Sequence, residues 1–427
     1  MKSPRWNAKW RCAALALAAS AGPFCAMAQQ PGPRYTIFDL GTVGGPPGQP
    51  ITLRNNGLVS GQAAADGNEH AVLWLRGLLA DIGKPGLGGA NNLAFGVNEV
   101  AQAVGTAETA VPDPDGEDFC GFQFFGFSST PTVCAPFVWQ NGAMRPLKTL
   151  GGHNGAANQI NNRGAIAGVA ESTTVDPDCP GPQKYQFKPV MWQQGQIHEL
   201  PTYADPDGIA FSINDNGQVV GASGTCGSFN PATYVYLAPV HALFWENGTA
   251  TDLGNLGGNF GNIALGINNL GQAVGGSDIA GDLTSHAFLW SRNTGMKDLG
   301  TLSEDFFSTA IGINDGGQVV GVSADESFNI RAFVGSNGQL HDLNALIVSD
   351  TPLYLLLACS INSSGQIIGL AFDTGTGDLH GYLATPSAGA STAARSLSRP
   401  RALPDDVRKL LVRLRFGQLG PRLAQRQ

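Results

Sequence analysis

The sequence predicts an all-β protein, a seven-bladed β-propeller, and three observations predict it. Three phrases recur seven times each in fixed order, each period holds four short strands, and the two chain ends carry complementary fragments of one period. The composition agrees: 58 glycines and 26 prolines in 427 residues, with 14% charged residues, suit many short strands joined by tight turns. A hydrophobic content of 42% fills a core and excludes disorder over most of the chain.

The first phrase has the form I-N-x-x-G-x-x-x-G. It runs from Leu53 to Gly61, Val97 to Gly105, Ile160 to Gly168, Ile213 to Gly221, Ile267 to Gly275, Ile313 to Gly321 and Ile361 to Gly369. The second, of the form H-A-F-L-W, starts at His70, Ala135, Lys188, His241, His286, Arg331 and His380. The third, D-L-G-T-L-G-G, starts at Asp39, Asp81, Pro146, Glu199, Asp252, Asp298 and Asp342. Successive final glycines of the first phrase lie 44 to 63 residues apart, the period of a propeller blade. In the fifth unit the strands are expected at Ile263 to Asn268, Gln272 to Gly276, His286 to Trp290 and Met296 to Gly300. Asn268 to Gly271 and Asn293 to Gly295 supply its hairpin turns. A solenoid would need capping repeats. Instead, Tyr35 to Gly41 is a fourth strand with no blade before it, and the last unit stops at Ala384 after its third strand. In a ring the N-terminal strand completes the last blade and removes an open edge.

The run His286-Ala287-Phe288-Leu289-Trp290, with Met296 to Leu302 and Ile313 to Gly321, resembles the HAF-type extracellular repeat family of bacteria. The resemblance covers Tyr35 to about Pro386 and implies a secreted or envelope repeat protein. It implies no reaction, because the family is defined by its repeat.

Residues 1–28 read as a secretory signal: Lys2, Arg5, Lys9 and Arg11 precede the apolar Ala13 to Ala21 and the cleavage signature Ala26-Met27-Ala28. Phe24, where a lipoprotein signal wants a small residue, disfavours lipid attachment at Cys25. Residues 29–386 form the propeller, and 387–427 a linker and a basic amphipathic tail. In the tail, Val407, Leu410, Leu411 and Leu414 have helical spacing between Pro404 and Gly417. Such a helix suits an anionic envelope surface or the acidic propeller, and a frayed, solvated tail is the other reading. Between signal and tail the chain holds 12 basic and 31 acidic residues, which argues against nucleic acid as a partner.

Within the repeats, Phe288 and Trp290 share one face of their strand, and Ala287 and Leu289 the other, so the blade is apolar on both sides. The repeated asparagine and glycines read as turn chemistry. His70, His241, His286 and His380 start equivalent strands, which invites a metal reading. Sheets about 10 Å apart cannot bring two such ligands within about 4 Å of each other, so no metal ring is expected. The histidines and the repeated aspartates are expected to hydrogen-bond each blade to itself. G-x-S-x-G, H-E-x-x-H, P-loop and C-x-x-C motifs are absent, and no catalytic residue is assigned.

Three consecutive units carry insertions between the second and third strands: about Thr106 to Cys134, Ala170 to Phe187 and Ala222 to Val240. They emerge on the face of the D-L-G links. Phe119, Phe122, Phe124, Phe125 and Phe127 of the first, with Phe229, Tyr234 and Tyr236 of the third, form either a satellite core under long loops or an aromatic platform with an acidic rim. Asp113, Asp115, Glu117, Asp118, Asp176 and Asp178 supply that rim. Asp113 to Asp118 also bears on calcium, but it lacks the twelve-residue loop register. The Asp-Pro-Asp triplets starting at Asp113, Asp176 and Asp205 read as proline turns, and no cofactor is expected. In an exported chain, Cys120 is expected to pair with Cys134 and Cys179 with Cys226, leaving Cys359 unpaired and buried. The expected function is a secreted or periplasmic binding or scaffold module that engages a glycan or protein on the insertion-bearing face. A carbohydrate-active hydrolase or lyase with carboxylates at the propeller mouth is the alternative.

Overall fold

The computed structural model describes residues 33–41, 49–76, 78–122, 127–128, 130–179, 181, 183–230, 235–387 and 404. The expected signal segment, and the tail beyond residue 387 apart from Pro404, lie outside the described residues.

The described chain forms seven four-stranded antiparallel sheets. Strand β1 is Arg34–Gly41. Blade 1 holds β2 (Gln49–Leu53), β3 (Leu58–Ala65), β4 (Asn68–Leu75) and β5 (Leu78–Asp81). Blade 2 holds β6 (Gly88–Val97), β7 (Ala103–Pro112), β8 (Thr132–Gln140) and β9 (Ala143–Pro146). Blade 3 holds β10 (Gly155–Ile160), β11 (Ile166–Val175), β12 (Tyr185–Gln193) and β13 (Gln196–Glu199). Blade 4 holds β14 (Asp207–Ile213), β15 (Val219–Asn230), β16 (Val235–Glu246) and β17 (Thr249–Asp252). Blade 5 holds β18 (Ile263–Ile267), β19 (Ala273–Asp278), β20 (Ser285–Ser291) and β21 (Gly295–Gly300). Blade 6 holds β22 (Phe307–Ile313), β23 (Val319–Ala324), β24 (Ile330–Ser336) and β25 (Gln339–Asp342). Blade 7 holds β26 (Leu353–Ile361), β27 (Ile367–Asp373) and β28 (Leu379–Ser387), and its outermost strand is β1.

In that last sheet Ile37 lies opposite Ala384, Phe38 opposite Leu383 and Asp39 opposite Tyr382. Blade 7 also bonds to blade 1: the Leu53 N–H donates to Ser360 Oγ at 3.2 Å, and the Ser363 N–H to Asn55 Oδ1 at 2.8 Å.

The repeated asparagine does more than close its own turn. Asn268 Oδ1 accepts from the N–H groups of Leu270 and Gln272, as an Asx turn requires. Its Nδ2 meanwhile donates to Gln272 Oε1 at 2.8 Å and, in the next blade, to Asn314 O at 3.0 Å. The same step runs from Asn98 to Asn161, from Asn161 to Asn214, from Asn214 to Asn268, from Asn314 to Asn362, and from Asn362 to Arg54. Arg54 stands where blade 1 lacks the asparagine, and its guanidinium bonds to the carbonyls of Val97 and Ile160 and to Gln159 Oε1. One buried side chain per blade therefore clasps the next blade at the plain face. Asn268→Ala would leave Asn314 O and two N–H groups without their partner, at about 1–3 kcal/mol for each that stays buried. The expected loss is roughly 2–4 kcal/mol, read as a lower urea midpoint at unchanged m. An equal effect from Asn269→Ala, whose side chain is exposed, would remove the clasp from the account.

Each inner strand also carries a bulge at one equivalent place. The skipped residues are Ile51, Phe95, Asn158, Phe211, Leu265 and Ile311, with Leu356 and Cys359 in blade 7. A bulge re-aims its side chain. Ile51, Phe95, Phe211 and Leu265, from blades 1, 2, 4 and 5, meet in one apolar cluster. The second-phrase aromatics pack between blades, Phe288 fully buried and Trp290 nearly so.

The histidine–aspartate devices are present, with one change. His70 bonds to Asp81 at 2.8 Å, His286 to Asp298 at 3.0 Å and His380 to Asp39 at 2.9 Å, each across the third and fourth strands of its own blade. Arg331 and Asp342 take the same places in blade 6, at 3.1 Å. His241 instead bonds at 2.9 Å to Asp205, in the link ahead of blade 4, while Asp252 accepts from the Gly254 N–H. The same Asp205 Oδ2 accepts from the Ser223 hydroxyl.

Candidate functional site

Each insertion is an arm that leaves its blade as a pair of strands, and in the first two the described residues beyond Pro112 and Val175 form a loop without strand. Their strands continue the blade ladders outward, to Pro112 opposite Thr132, Val175 opposite Tyr185 and Asn230 opposite Val235. Each ladder is interrupted by an irregularity on the way, and the β-branched and aromatic pair Val175 and Tyr185 suits the resumed pairing of the second arm. Both expected disulfides are formed, Cys120–Cys134 with Cα atoms 5.7 Å apart and Cys179–Cys226 at 4.9 Å, and Cys359 is free and buried. The second bond joins the arms of blades 3 and 4. Two disulfides belong to an oxidising extracellular or periplasmic environment.

Of the aromatics expected on this face, Phe119 and Phe122 are each only 1% exposed. They pack on Leu93, Ala156, Ile209 and Ile263, from the inner strands of blades 2 to 5, and Phe127 joins them half-buried. These three make a core beneath the first arm; they are not a platform. Phe124, Phe125 and Tyr234 lie outside the described residues, as do the side chains of Phe229 and Tyr236.

The acidic residues divide in two. Asp113, Glu117, Glu171, Asp176 and Asp207 are buried, and most of their oxygens face donors from neighbouring segments. Asn154, in the link between blades 2 and 3, is the hub. Its Nδ2 donates to Asp113 Oδ2 at 2.9 Å and Glu117 Oε2 at 3.0 Å, its N–H donates to Glu171 Oε2 at 2.9 Å, and its Oδ1 accepts from the Cys134 N–H at 2.8 Å. Glu117 Oε1 accepts from the Lys184 N–H at 2.6 Å, which ties the first arm to the second. Burial first, and then the neighbouring Glu171 carboxyl, push the Glu117 carboxyl up to about 9. Asp207, whose Oδ1 accepts from the Phe187 N–H, is pushed up to about 8 by burial and further raised by Asp176.

Above this layer lies an accessible polar and aromatic surface. Lys184 pairs with Asp115, holds its carboxyl below the usual range, and sits 5.1 Å above the Tyr185 ring. His153 meets the Tyr185 ring edge-on, with centroids 6.3 Å apart. One blade on, Tyr203 is half exposed and its ring lies 5.0 Å from that of His241. Sequence reasoning assigned no role to His153, Tyr185 or Tyr203. They occupy links and arm bases, which vary between repeats and so carry no periodic signal. No group of three or more His, Cys, Asp or Glu side chains is placed to hold a metal among the described residues.

No family model matches the chain, and no curated protein matches it in sequence. Solved structures match it in fold at low similarity. One is dipeptidyl peptidase 4 of Porphyromonas gingivalis, at 11% identity and a TM-score of 0.38, over 84% of this chain and 52% of that one, so the chain spans about half its length. A chain of the mitotic checkpoint complex matches at 10% identity and a TM-score of 0.41, over 88% and 99% of the two chains. The sialidase of Trypanosoma rangeli in complex with sialic acid matches at 9% identity and a TM-score of 0.37, over 82% and 57%.

Proposed function

We propose that the protein is an exported binding or scaffold module of the HAF-repeat type, released by cleavage after residue 28, whose contact surface is the insertion-bearing face. The observation that carries this reading is the tying of the arms into one rim. The first arm bonds to the second through Glu117 and Lys184, and the second to the third through Cys179–Cys226. A preorganised rim spends less of its binding energy on ordering loops. Tyr185, Lys184, His153 and Tyr203 are the side chains offered to a glycan or protein ligand.

The hydrolase or lyase reading needs paired carboxyls that a substrate can reach. The carboxyls that converge on this face are instead covered, and they serve the arms.

A glycan and peptide array probed with the mature protein tests the proposal. Binding is expected, with a loss of about tenfold or more for Cys179→Ala/Cys226→Ala while the propeller still melts cooperatively, since a disulfide contributes about 2–4 kcal/mol to what it closes. An array without a hit, or binding indifferent to that double substitution, would overturn the rim as the contact surface.

A further inference from the structure

The buried carboxyls at the arms meet in pairs, and Asn154 holds both members of the first, its N–H donating to Glu171 Oε2 and its Nδ2 to Glu117 Oε2. Glu117 touches Glu171, and Asp176 touches Asp207, each pair within hydrogen-bonding reach. In the second pair, one oxygen of each carboxylate is served: Asp176 Oδ1 by the Asp178 N–H at 3.0 Å and Asp207 Oδ1 by the Phe187 N–H at 3.0 Å. The other oxygen of each, Oδ2, is buried and receives no donor. Two adjacent buried carboxylates, each with an oxygen that lacks a donor, need something positive between them.

Calcium takes six to eight oxygens, and two free carboxylate oxygens fall well short of that. A proton needs only two. The first pair differs: all four oxygens of Glu117 and Glu171 accept N–H groups, from Lys184, Asn154, His153 and Gln183, and a shared proton there removes the repulsion between two adjacent carboxylates.

We propose that these two acid pairs form a proton-dependent latch, which holds the first and second arms to the propeller and frees them as pH rises. The placement supports it. Glu117 stands on the first arm and Glu171 on β11, while Asp176 stands on the second arm and Asp207 on β14 of the next blade. The first pair thus joins the first arm to the base of the second, and the second pair joins the second arm to blade 4. Each also lies close in sequence to a disulfide, Glu117 three residues before Cys120 and Asp176 three before Cys179, so a freed arm stays tethered.

The charged groups around the pairs do not compensate ionisation. Glu117 faces Glu171 and Asp113, and the nearby Lys184 ammonium is engaged with Asp115. Asp207 faces Asp176 and, more weakly, Lys188, whose ammonium bonds to the Pro206 carbonyl.

The direction follows from linkage. Folded, the raised groups keep a proton that a freed arm releases above its ordinary carboxylate value near 4. Arm stability is therefore highest in acid and falls as pH climbs from that value toward about 8 for Asp207 and about 9 for Glu117, where the folded pairs ionise as well. The latch does not depend on what the face binds, so its test reads the arms alone.

Hydrogen exchange of the mature protein, corrected for intrinsic rates, is measured from pH about 5 to about 9. Amides in 106–134 and 170–187 are expected to lose about tenfold or more of their protection across that range, and those of β23 in blade 6 none. Glu117→Gln and Asp207→Asn supply the shared hydrogen permanently and are expected to flatten the profile of the first and the second arm respectively. Equal protection of the wild-type arms at both ends of the range would overturn the latch, whether or not the variants fold. So would variants that keep the wild-type slope, or recovery of protection at high pH on adding millimolar calcium, which would make the pairs a cation site.

Discussion

Deletion of Tyr35 to Gly41 is expected to abolish the cooperative thermal transition and to drive aggregation. The segment is the outermost strand of blade 7, and without it β28 presents an unpaired edge. More than the ladder is lost. Tyr35 is fully buried and packs with Tyr382, Leu343 and Ile347. Its carbonyl accepts from the Val348 N–H at 2.9 Å, Ile37 N–H donates to Ser349 Oγ at 3.0 Å, and Asp39 holds His380. Burial of an aromatic side chain of this size contributes at most roughly 4–6 kcal/mol at about 25 cal/mol per Å². That alone approaches the net stability of a typical domain, about 5–15 kcal/mol. The measurement is a melt of the truncated protein beside the intact one, with light scattering. Coincident transitions would mean that the strand decorates blade 7 and does not complete it.

The blades were legible in the sequence because a strand, a turn and a glycine recur at short range and repeat seven times. The fifth unit shows how far this goes: the strands expected at Ile263, Gln272, His286 and Met296 begin within one residue of β18 to β21. The disulfides were legible because each pairing joins cysteines of one arm or of adjacent arms. The asparagine was half legible. Its turn bonds are local, and the glutamine four residues on, at Gln102, Gln218, Gln272, Gln318 and Gln366, was visible as a pattern, but the bond to the next blade spans about a whole period. The acid pairs were not legible at all. Glu117 and Glu171, or Asp176 and Asp207, are brought together only when one arm folds against a neighbouring blade. The recurring Asp-Pro-Asp triplets were the one available signal, and a turn explained them locally. The same limit applies to the aromatics of the first arm, since composition does not say whether a phenylalanine such as Phe119 turns inward or outward.

Gly275→Ala is expected to cost more than any other single methyl added to a repeat glycine of blade 5. The final glycine of the first phrase sits on β19 opposite the inner strand, where the bulge at Leu265 presses a carbonyl toward it. An added Cβ would lie 1.9 Å from Ile263 O and 2.9 Å from Ala264 Cα. Both are backbone atoms, so no rotamer change relieves the contact. Equivalent glycines meet the same obstacle, with Cβ to carbonyl distances of 1.7 Å at Gly105, 2.0 Å at Gly221 and 1.8 Å at Gly369. Relief requires the inner strand to move, and that strand carries Leu265 into the cluster shared with Ile51 and Phe211. Overpacking of this kind costs about 1–3 kcal/mol where side chains can yield, and the expectation here, with backbone in the way, is about 3 kcal/mol or more. Gly271→Ala is the control. That residue has φ +72° in the hairpin, and its added Cβ would meet only the Gln218 side chain, at 3.2 Å. Its cost is the left-handed penalty of about 1–2 kcal/mol. Denaturant midpoints of the two variants separate a steric role from a conformational one. If Gly275→Ala is tolerated as well as Gly271→Ala, the bulge yields easily, and the close approach of Ile263 O does not account for the repeated glycine.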